Sequence, residues 1–482
     1  MVFILTMTIS SKKTVNKDPV LAITSAKYCV VKILKARINA ANRLCIRSLS
    51  SFFILAKVRS KASFSLRVFT LILARFCSFY HLYLRMQNRE KQFFIVILGL
   101  LAMIGPLNID TCLPAYGAIA IDFETSFANV ERSMSIFFFG FGIGQLGGGY
   151  LSDLKGRRFV LTWGLIVVIL GCLALFLSSS IQQFYLGRVL QAIGGGFVGV
   201  TIATVVRDNF KGRDAASIMS NIMMIAMSAP LIAPSLGAVL LKKFDWPSIF
   251  LFIGVYSFCQ LILVRWKIRD VPRLSENKDP FVVRILTVYR LKSAWKYMLA
   301  LSIPAGALYT YLTMAPFIYQ EYFGLDEGVF ALIFGLNGAV LILMNKINSI
   351  LVKKIGPKRL LGFGLTLHVS SLFIMLTCIG LNFISPFLII PLITLHLSSL
   401  GFTSGNATTL ALEKFDMNLV GLANSQMRVI AVLFGSFAGF MASVLNNGSL
   451  YVPIGVMFIC SLTGVLIYFR PNNRNQVISK QG

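Results

Sequence analysis

Long apolar segments recur along this chain, and they limit its possible folds more than any other feature. A helix needs roughly 20 apolar residues to cross the hydrocarbon core of a bilayer, with its backbone polar groups bonded internally. Charged residues make up only 13% of the 482 residues, about half the share usual in soluble domains. The sequence predicts an all-α membrane protein with twelve spans. They are 93–113, 132–152, 159–178, 184–206, 217–240, 248–267, 295–318, 329–352, 360–380, 386–411, 421–445 and 450–469.

The connectors between these spans differ in charge from one side of the predicted bundle to the other. Those on one side are rich in Lys and Arg, including Lys155, Lys211 and Lys353, and we call this side the basic face. The other side, the acidic face, has few cations. Loops rich in Lys and Arg stay in the cytoplasm, so both termini are expected there. The acidic face carries Asp122, Glu124, Glu131, Glu321, Asp326 and Glu327.

The longest internal connector, 268–294, follows span 6. It contains prolines and charges of both signs, which is typical of a linker. We therefore predict a six-helix half over 86–267, a cytoplasmic linker over 268–294, a second six-helix half over 295–469 and a cytoplasmic tail over 470–482. The halves resemble each other at a constant offset of 200 residues, which predicts two pseudo-symmetric bundles. Leu151, Gly156, Arg158 and Gly164 correspond to Leu351, Gly356, Lys358 and Gly364.

Residues 1–85 differ in composition from the rest of the chain. They are rich in Lys, Arg and Ser, and Asp18 is their single acid. This composition is typical of an organellar transit peptide, and also of a basic arm on anionic lipid. A third interpretation, which we favour, is that translation starts at Met86, where MQNREKQFF leads into span 1. On that interpretation residues 1–85 are an upstream-start artefact; if they are translated, we expect a disordered basic extension.

The connector between spans 2 and 3 has the most concentrated charge among the apolar segments. It reads GYLSDLKGRRFVL over residues 149–161. Gly149 has no side chain, so a neighbouring helix can approach closely, and Gly156 permits a tight turn. Arg157 and Arg158 are expected to hold the loop on the basic face. Asp153 is a carboxylate among cations, suited to an ion pair across a moving interface.

This loop resembles the signature loop of the major facilitator superfamily, G-x-L-[AS]-D-x-x-G-R-[RK]. LGRVLQAIGGG, residues 186–196, resembles the fourth-span motif of that family. SAPLIAPSLGAVL, residues 228–240, resembles the fifth-span motif of its antiporters. Three stretches are similar to the Bcr/CflA branch of drug efflux proteins. They are this fifth-span stretch, GPLNIDTCLPAYGAIA in span 1, and VVRDNF after span 4. The matching motif residues are Arg188, Gln191 and Gly194 in span 4, and Pro230, Pro234 and Gly237 in span 5.

Ionisable residues inside spans indicate a functional site, because charge at membrane depth is costly. Asp110 and Arg188 fall at similar predicted depths, and the resemblance implies that spans 1 and 4 both line a central cavity. We predict that they form a switchable proton-coupling pair, the alternative being that each reaches interfacial water. Arg428 and Lys346 lie nearer the basic face. Either they form an inner gate, Arg428 with Asp153, or they reach the interface as solvated cations.

The resemblance implies proton-driven export of lipophilic or amphiphilic drugs across the bacterial inner membrane by alternating access. The expected partners are a small lipophilic molecule, protons and the bilayer, with the protein acting as a monomer. One alternative is a proton-coupled importer of a small metabolite on the same fold. A second is a membrane-embedded enzyme, although only three histidines are available for catalysis.

No cofactor or metal is expected. The sequence has no GxxxxGK[ST] loop for ATP, and its eight cysteines show no metal-ligating spacing. The formal charge of +28 does not indicate a nucleic-acid partner, because the excess cations lie in residues 1–85 and in short connectors. We therefore predict a transporter rather than an enzyme.

Overall fold

A computed structural model describes residues 90–210, 212–268 and 281–470, and these residues are entirely helical apart from short connections. The extension predicted over 1–85 and the tail beyond residue 470 lie outside the described residues. Within them, twelve helices are long and apolar enough to cross a membrane, which confirms the predicted number. Spans 1 to 12 are Glu90–Asp122, Phe127–Lys155, Arg157–Phe176, Ile181–Asn209, Ser217–Phe244, Pro247–Lys267, Lys292–Tyr322, Glu327–Ile355, Pro357–Gly380, Pro386–Leu412, Leu419–Val444 and Tyr451–Phe469.

Three of the spans are interrupted. Span 1 breaks after Asp110 and continues through a 3₁₀ turn, Leu113–Ala115, before its helix resumes. Span 5 breaks between Ala226 and Ala229, next to Pro230, which has no N–H to give to the preceding turn. Span 7 breaks at Pro304 and ends in a π-helical turn, Phe317–Tyr322. The predicted end of span 1 at residue 113 is therefore wrong, because polar residues and prolines mark a break there rather than a boundary.

The predicted linker is partly helical. Residues Phe281–Arg290 form a helix, which we call the linker helix. Val288 packs in one apolar cluster with Met427 of span 11, and the Tyr289 hydroxyl donates to Gln426 Oε1 at 3.0 Å. Burial raises the pKa of Tyr289, which keeps the phenol protonated as a donor. The second part of the linker is thus fixed to span 11, and the predicted domain boundaries stay a prediction.

Helix packing in the first six spans recurs in the last six. Span 3 packs against spans 4 and 6, and span 9 packs correspondingly against spans 10 and 12. Span 2 packs against span 4, as span 8 does against span 10. Two further pairs, spans 2 and 11 and spans 5 and 8, join the two sets. The recurrence supports a duplicated unit, and it places spans 1, 2, 5, 7, 8 and 11 where the sets meet.

The two repeated connectors have nearly the same backbone. Gly156, between spans 2 and 3, has φ 96° and ψ 164°, and Gly356, between spans 8 and 9, has φ 87° and ψ 153°. Residues with a Cβ rarely adopt this conformation. Each glycine ends one span and starts the next, so the chain reverses direction without a longer loop.

Candidate functional site

Asp110 lies at the break in span 1. It is the last residue of the first helical segment, and its side chain is only 4% exposed. Gly237 of span 5 packs against the backbone carbonyl of Thr111, the next residue. A Cβ at Gly237 would lie well within 3 Å of that carbonyl, so glycine is required for this contact. The predicted fifth-span motif therefore supports the segment that carries Asp110.

Arg188 of span 4 is completely buried within the first half. Its Cζ lies 5.3, 5.5 and 5.7 Å from the ring centroids of Phe250, Phe184 and Phe137. Its Nη1 donates to the backbone carbonyl of Asn108 and to Gln191 Oε1, each at 2.9 Å. The aromatic rings and these two acceptors hold the guanidinium in place against span 1.

The other two residues of the fourth-span motif have structural contacts that account for their types. Gln191 accepts from Arg188, and its Nε2 donates to Cys172 Sγ of span 3 at 3.3 Å, which orients the amide. Gly194 faces span 3, where an added Cβ would lie 2.5 Å from the Gly164 carbonyl. Close packing of spans 3 and 4 thus fixes the helix from which Arg188 extends.

Asp110 and Arg188 do not form an ion pair in this conformation. No contact within 4.0 Å joins the two charges in the described part of the chain. Arg188 instead binds the carbonyl of Asn108, which brings its guanidinium to the same turn of span 1. The Asp110 carboxyl interacts electrostatically with Tyr311 of span 7, in the second half. Asn108, whose carbonyl Arg188 binds, lies two residues before Asp110 in span 1, and the switchable pair stays a prediction.

The second half presents a hydrogen-bonded polar network on the side facing Asp110. Asn337 Nδ2 of span 8 donates to the Tyr311 hydroxyl at 3.0 Å, and the Thr394 hydroxyl of span 10 donates to Asn337 Oδ1 at 2.6 Å. The Tyr311 ring stacks on Phe334, with centroids 5.9 Å apart. Sequence reasoning missed Asn337 and Thr394, although an amide inside an apolar span was a usable signal.

The signature loop forms a connected set of ion pairs. Asp153 Oδ1 lies 3.0 Å from Arg157 Nη1, and Arg157 Nε donates to Asp208 Oδ2 of span 4 at 2.8 Å. Asp153 Oδ2 also lies 3.7 Å from Arg284 Nη1 of the linker helix. The loop therefore ties spans 2, 3 and 4 to the linker helix. Asp208 and Arg284 were not among the predicted site residues, since their role depends on contacts between distant segments.

The remaining predicted gate residues are arranged differently from the expectation. Arg158 Nη2 donates to the Arg265 carbonyl of span 6 at 2.6 Å, and Gly149 is half-buried in span 2. Arg428 and Lys346 are both exposed. No ion pair within 4.0 Å joins Arg428 to Asp153 in the described part of the chain; Arg284 lies beside that carboxylate instead.

The remaining fifth-span motif residues lie at and just after the break in span 5. Pro230 is at the start of the second helical segment, and Pro234 is buried inside it. Beside them, Gly338 of span 8 faces Leu231 and Pro230. One side of the proline-kinked segment thus contacts the second half, and its Gly237 contacts span 1.

Neutral hydrogen bonds join the two halves near the acidic face, along a line that we call the seam. The hydroxyls of Ser443 and Ser436 in span 11 donate to the carbonyls of Ala128 and Ser135 in span 2, at 3.0 and 2.7 Å. Gln320 Nε2 of span 7 donates to the Pro114 carbonyl at 3.1 Å. These bonds hold spans 1 and 2 against spans 7 and 11.

Glu131 was expected in a connector between spans, and this expectation is wrong. It belongs to span 2 and is completely buried. The apolar count missed it because a span that begins with FANVERS has a polar first turn. Its burial comes from the packing of span 2 against other spans.

Comparison with known proteins agrees with this architecture. The family model of the Major Facilitator Superfamily matches residues 98–440. The uncharacterized MFS-type transporter YdgK of Bacillus subtilis is 29% identical over 79% of this chain and 96% of its own length. A bicyclomycin resistance protein homolog of Haemophilus influenzae is 28% identical over 81% of this chain and 98% of its own. The latter relative confirms the predicted resemblance to the Bcr/CflA branch.

The solved structures agree on the fold. The crystal structure of a D-xylose-proton symporter has a TM-score of 0.65 to this chain at 13% identity, covering 78% of this chain and 97% of the symporter. The number of spans, the signature loop and the match to the family model all indicate the same family. The chain belongs to the major facilitator superfamily, as a multi-pass membrane protein.

Proposed function

We propose that this protein exports lipophilic or amphiphilic drugs across the bacterial inner membrane in exchange for protons. The observation that carries the proposal is Asp110, a buried carboxyl without an ion-pair partner among the described residues, at a helix break that faces the other half. Ionisable groups at membrane depth mark proton and substrate pathways. A carboxyl at the junction of two halves can change its surroundings when the halves move.

In this proposal Asp110 binds the transported proton, and Arg188 sets the geometry around it. Arg188 holds the Asn108 carbonyl and so fixes the turn of span 1 from which Asp110 projects. Movement of the break would allow the guanidinium to meet the carboxylate in another conformation, which is the predicted switch. An ion pair stabilises the ionised carboxylate, and its loss favours proton uptake. Alternation between the two arrangements couples the proton to the transport cycle.

The relative named for bicyclomycin resistance supports export rather than the importer considered above. The hydrogen-bonded Tyr311, Asn337 and Thr394 and the stacked Phe334 suit an amphiphilic molecule, because they combine aromatic surface with a few polar groups. We place the basic face and both termini in the cytoplasm by the positive-inside rule. We also propose that the protein acts as a monomer, without cofactor, metal or nucleic acid.

Export can be tested by expression in a pump-deficient bacterium, with susceptibility measured across a varied panel of antibiotics and dyes. Coupling is tested in inverted vesicles with an imposed pH gradient, using a compound to which the panel shows resistance. Asp110→Asn should abolish uphill transport while permitting downhill exchange, since an amide cannot carry the proton. Asp416→Asn is the matched control, because that carboxylate is exposed and caps no N–H through its side chain. If Asp110→Asn vesicles still concentrate the compound, Asp110 is not the coupling residue.

A further inference from the structure

Glu131 is unusual among the acids that the structure describes. Its exposed fraction is 0%, and in the described part of the chain neither Oε1 nor Oε2 has a hydrogen-bond partner of normal geometry, although the Asn446 side chain and the Phe317 backbone lie near it. No salt bridge within 4.0 Å neutralises it there. A buried ionised carboxylate without partners is costly, so such a residue persists where its charge has a use.

The position of Glu131 relates it directly to the seam. Ala128 and Ser135, whose carbonyls accept the seam bonds from span 11, lie three residues before and four residues after it. Residues at this spacing share one face of a helix. Glu131 therefore lies on the face of span 2 that packs against the second half, within the line of contacts that joins the halves.

Charged and titratable groups act on Glu131 from three directions. Glu321 of span 7 and Tyr116 of span 1 interact with it electrostatically, and Arg132 is its neighbour in span 2. The Arg132 guanidinium donates instead to Asn129 Oδ1 at 2.8 Å. The polar Asn446 side chain and the Phe317 backbone complete its surroundings. Closure of the seam thus brings two carboxyls together without a paired cation.

A row of buried polar groups leads from Glu131 towards the central site. Tyr116 interacts electrostatically with both Glu131 and Arg188. The hydroxyls of Tyr116 and Ser133 and two guanidinium nitrogens of Arg188 are buried without hydrogen-bond partners of normal geometry. Water molecules that enter the site can bridge these groups by hydrogen bonds. Glu131 lies at the acidic-face end of this row.

We propose that Glu131 is a second proton-binding carboxyl of the transporter, which must be protonated for the seam to close. The proposal rests on the export function above and adds a site to it. When the seam opens, water from the acidic side reaches Glu131 and takes its proton. When the seam closes, Glu131 is completely buried, and the negative charge of the exposed Glu321 opposes ionisation of the Glu131 carboxyl. A high proton concentration at the acidic face of the protein therefore favours the closed seam.

The test measures seam opening without transport. The full chain with Ser443→Cys is reconstituted in vesicles. A membrane-impermeant maleimide is then added on the side of the membrane to which the acidic face is exposed. Modification is quantified by peptide mass spectrometry relative to Asn447→Cys, an exposed position on the same face. We expect relative labelling of Ser443→Cys to rise several-fold from acidic to alkaline pH. Adding Glu131→Gln, which mimics the protonated side chain, should keep labelling low at every pH.

The controls separate this site from general effects of charge. Glu124→Gln, an exposed acid of the same face, should retain the pH response. Glu321→Gln removes the second carboxyl and should move the midpoint of the response, which keeps the test valid if Glu131→Gln does not fold. An unchanged pH response in Glu131→Gln, or an unmoved midpoint in Glu321→Gln, overturns the proposal. If the seam responds as expected while Asp110→Asn still concentrates substrate, the proposed coupling fails and the Glu131 site stands.

Discussion

Gly237 of span 5 packs directly on the backbone carbonyl of Thr111, the residue that follows Asp110 in span 1. The proline-kinked segment of span 5 therefore holds the helix break at which the central carboxyl lies. Pro230 and Leu231 in the same segment face Gly338 of span 8. A change at this contact should affect the Asp110 site, although Gly237 itself has no chemical role.

Gly237→Ala should reduce transport and stability together. Its Cβ would collide with the Thr111 carbonyl, and overpacking of this kind costs about 1–3 kcal/mol. Thermal unfolding in detergent and vesicle transport measure the two effects. Gly455→Ala in span 12 is the control, since a Cβ there meets nothing within 4 Å. A Gly237→Ala protein with normal stability and transport would show that the break does not depend on this contact.

Arg188→Lys should be nearly as inactive in gradient-driven transport as Arg188→Ala. An ammonium lacks the planar guanidinium that packs among three phenylalanine rings while its Nη1 donates to both the Asn108 carbonyl and Gln191 Oε1. Loss of a hydrogen bond to a charged group costs about 1.5–3 kcal/mol. Arg290→Lys, on the exposed surface of the linker helix, is the control. Full transport by Arg188→Lys would show that only the positive charge of Arg188 is needed, and not the geometry of its guanidinium.

Asp153→Asn should slow the cycle while leaving substrate binding intact. The substitution weakens the ion pairs of Asp153 with Arg157 and Arg284 but removes no group from the central site. Turnover in vesicles and equilibrium binding in detergent distinguish the two properties. Glu413→Gln, an exposed acid near the same face, should leave both unchanged. Loss of binding at normal expression would place Asp153 in the substrate site instead.

Gly156→Ala and Gly356→Ala should each lower stability by about 1–3 kcal/mol, because a Cβ is strained at their backbone angles. The comparison to make is with Gly405→Ala, a helical glycine with a normal φ and open space around it. Denaturation midpoints of the three variants in detergent measure the effect. Equal midpoints would mean that the connectors relax at little cost.

The sequence was sufficient for the features that depend on local composition. The number of spans follows from apolar length, and the signature loop and the fourth-span motif were recognisable as short patterns. Their partners were not, because Asp208 and Arg284 reach the loop from distant segments. The break after Asp110 was also missed, since hydropathy records the polarity of side chains and not the course of the backbone.

The sequence also could not predict which residues are buried where the two halves meet. Glu131 reads as a connector residue when span 2 is considered alone, and only packing against spans 7 and 11 encloses it. Asn337 and Thr394 come from different spans, so their hydrogen bond has no counterpart in sequence spacing. The prediction of a switchable pair between Asp110 and Arg188 stays a prediction, although Arg188 binds the carbonyl of Asn108, two residues before Asp110.

The paired glycine connectors separate what the two repeated halves share from what only one of them has. Gly156 and Gly356 keep nearly the same backbone angles, whereas the acid Asp153 has become Lys353 in the second copy. A tight reversal between consecutive helices is needed in both copies if each is to insert and fold. The ion pairs of Asp153 with Arg157 and Arg284 belong to the first connector alone, because Lys353 stands at the corresponding position of the second. The two connectors therefore share the reversal of the chain, whereas the tie to the linker helix belongs to one half.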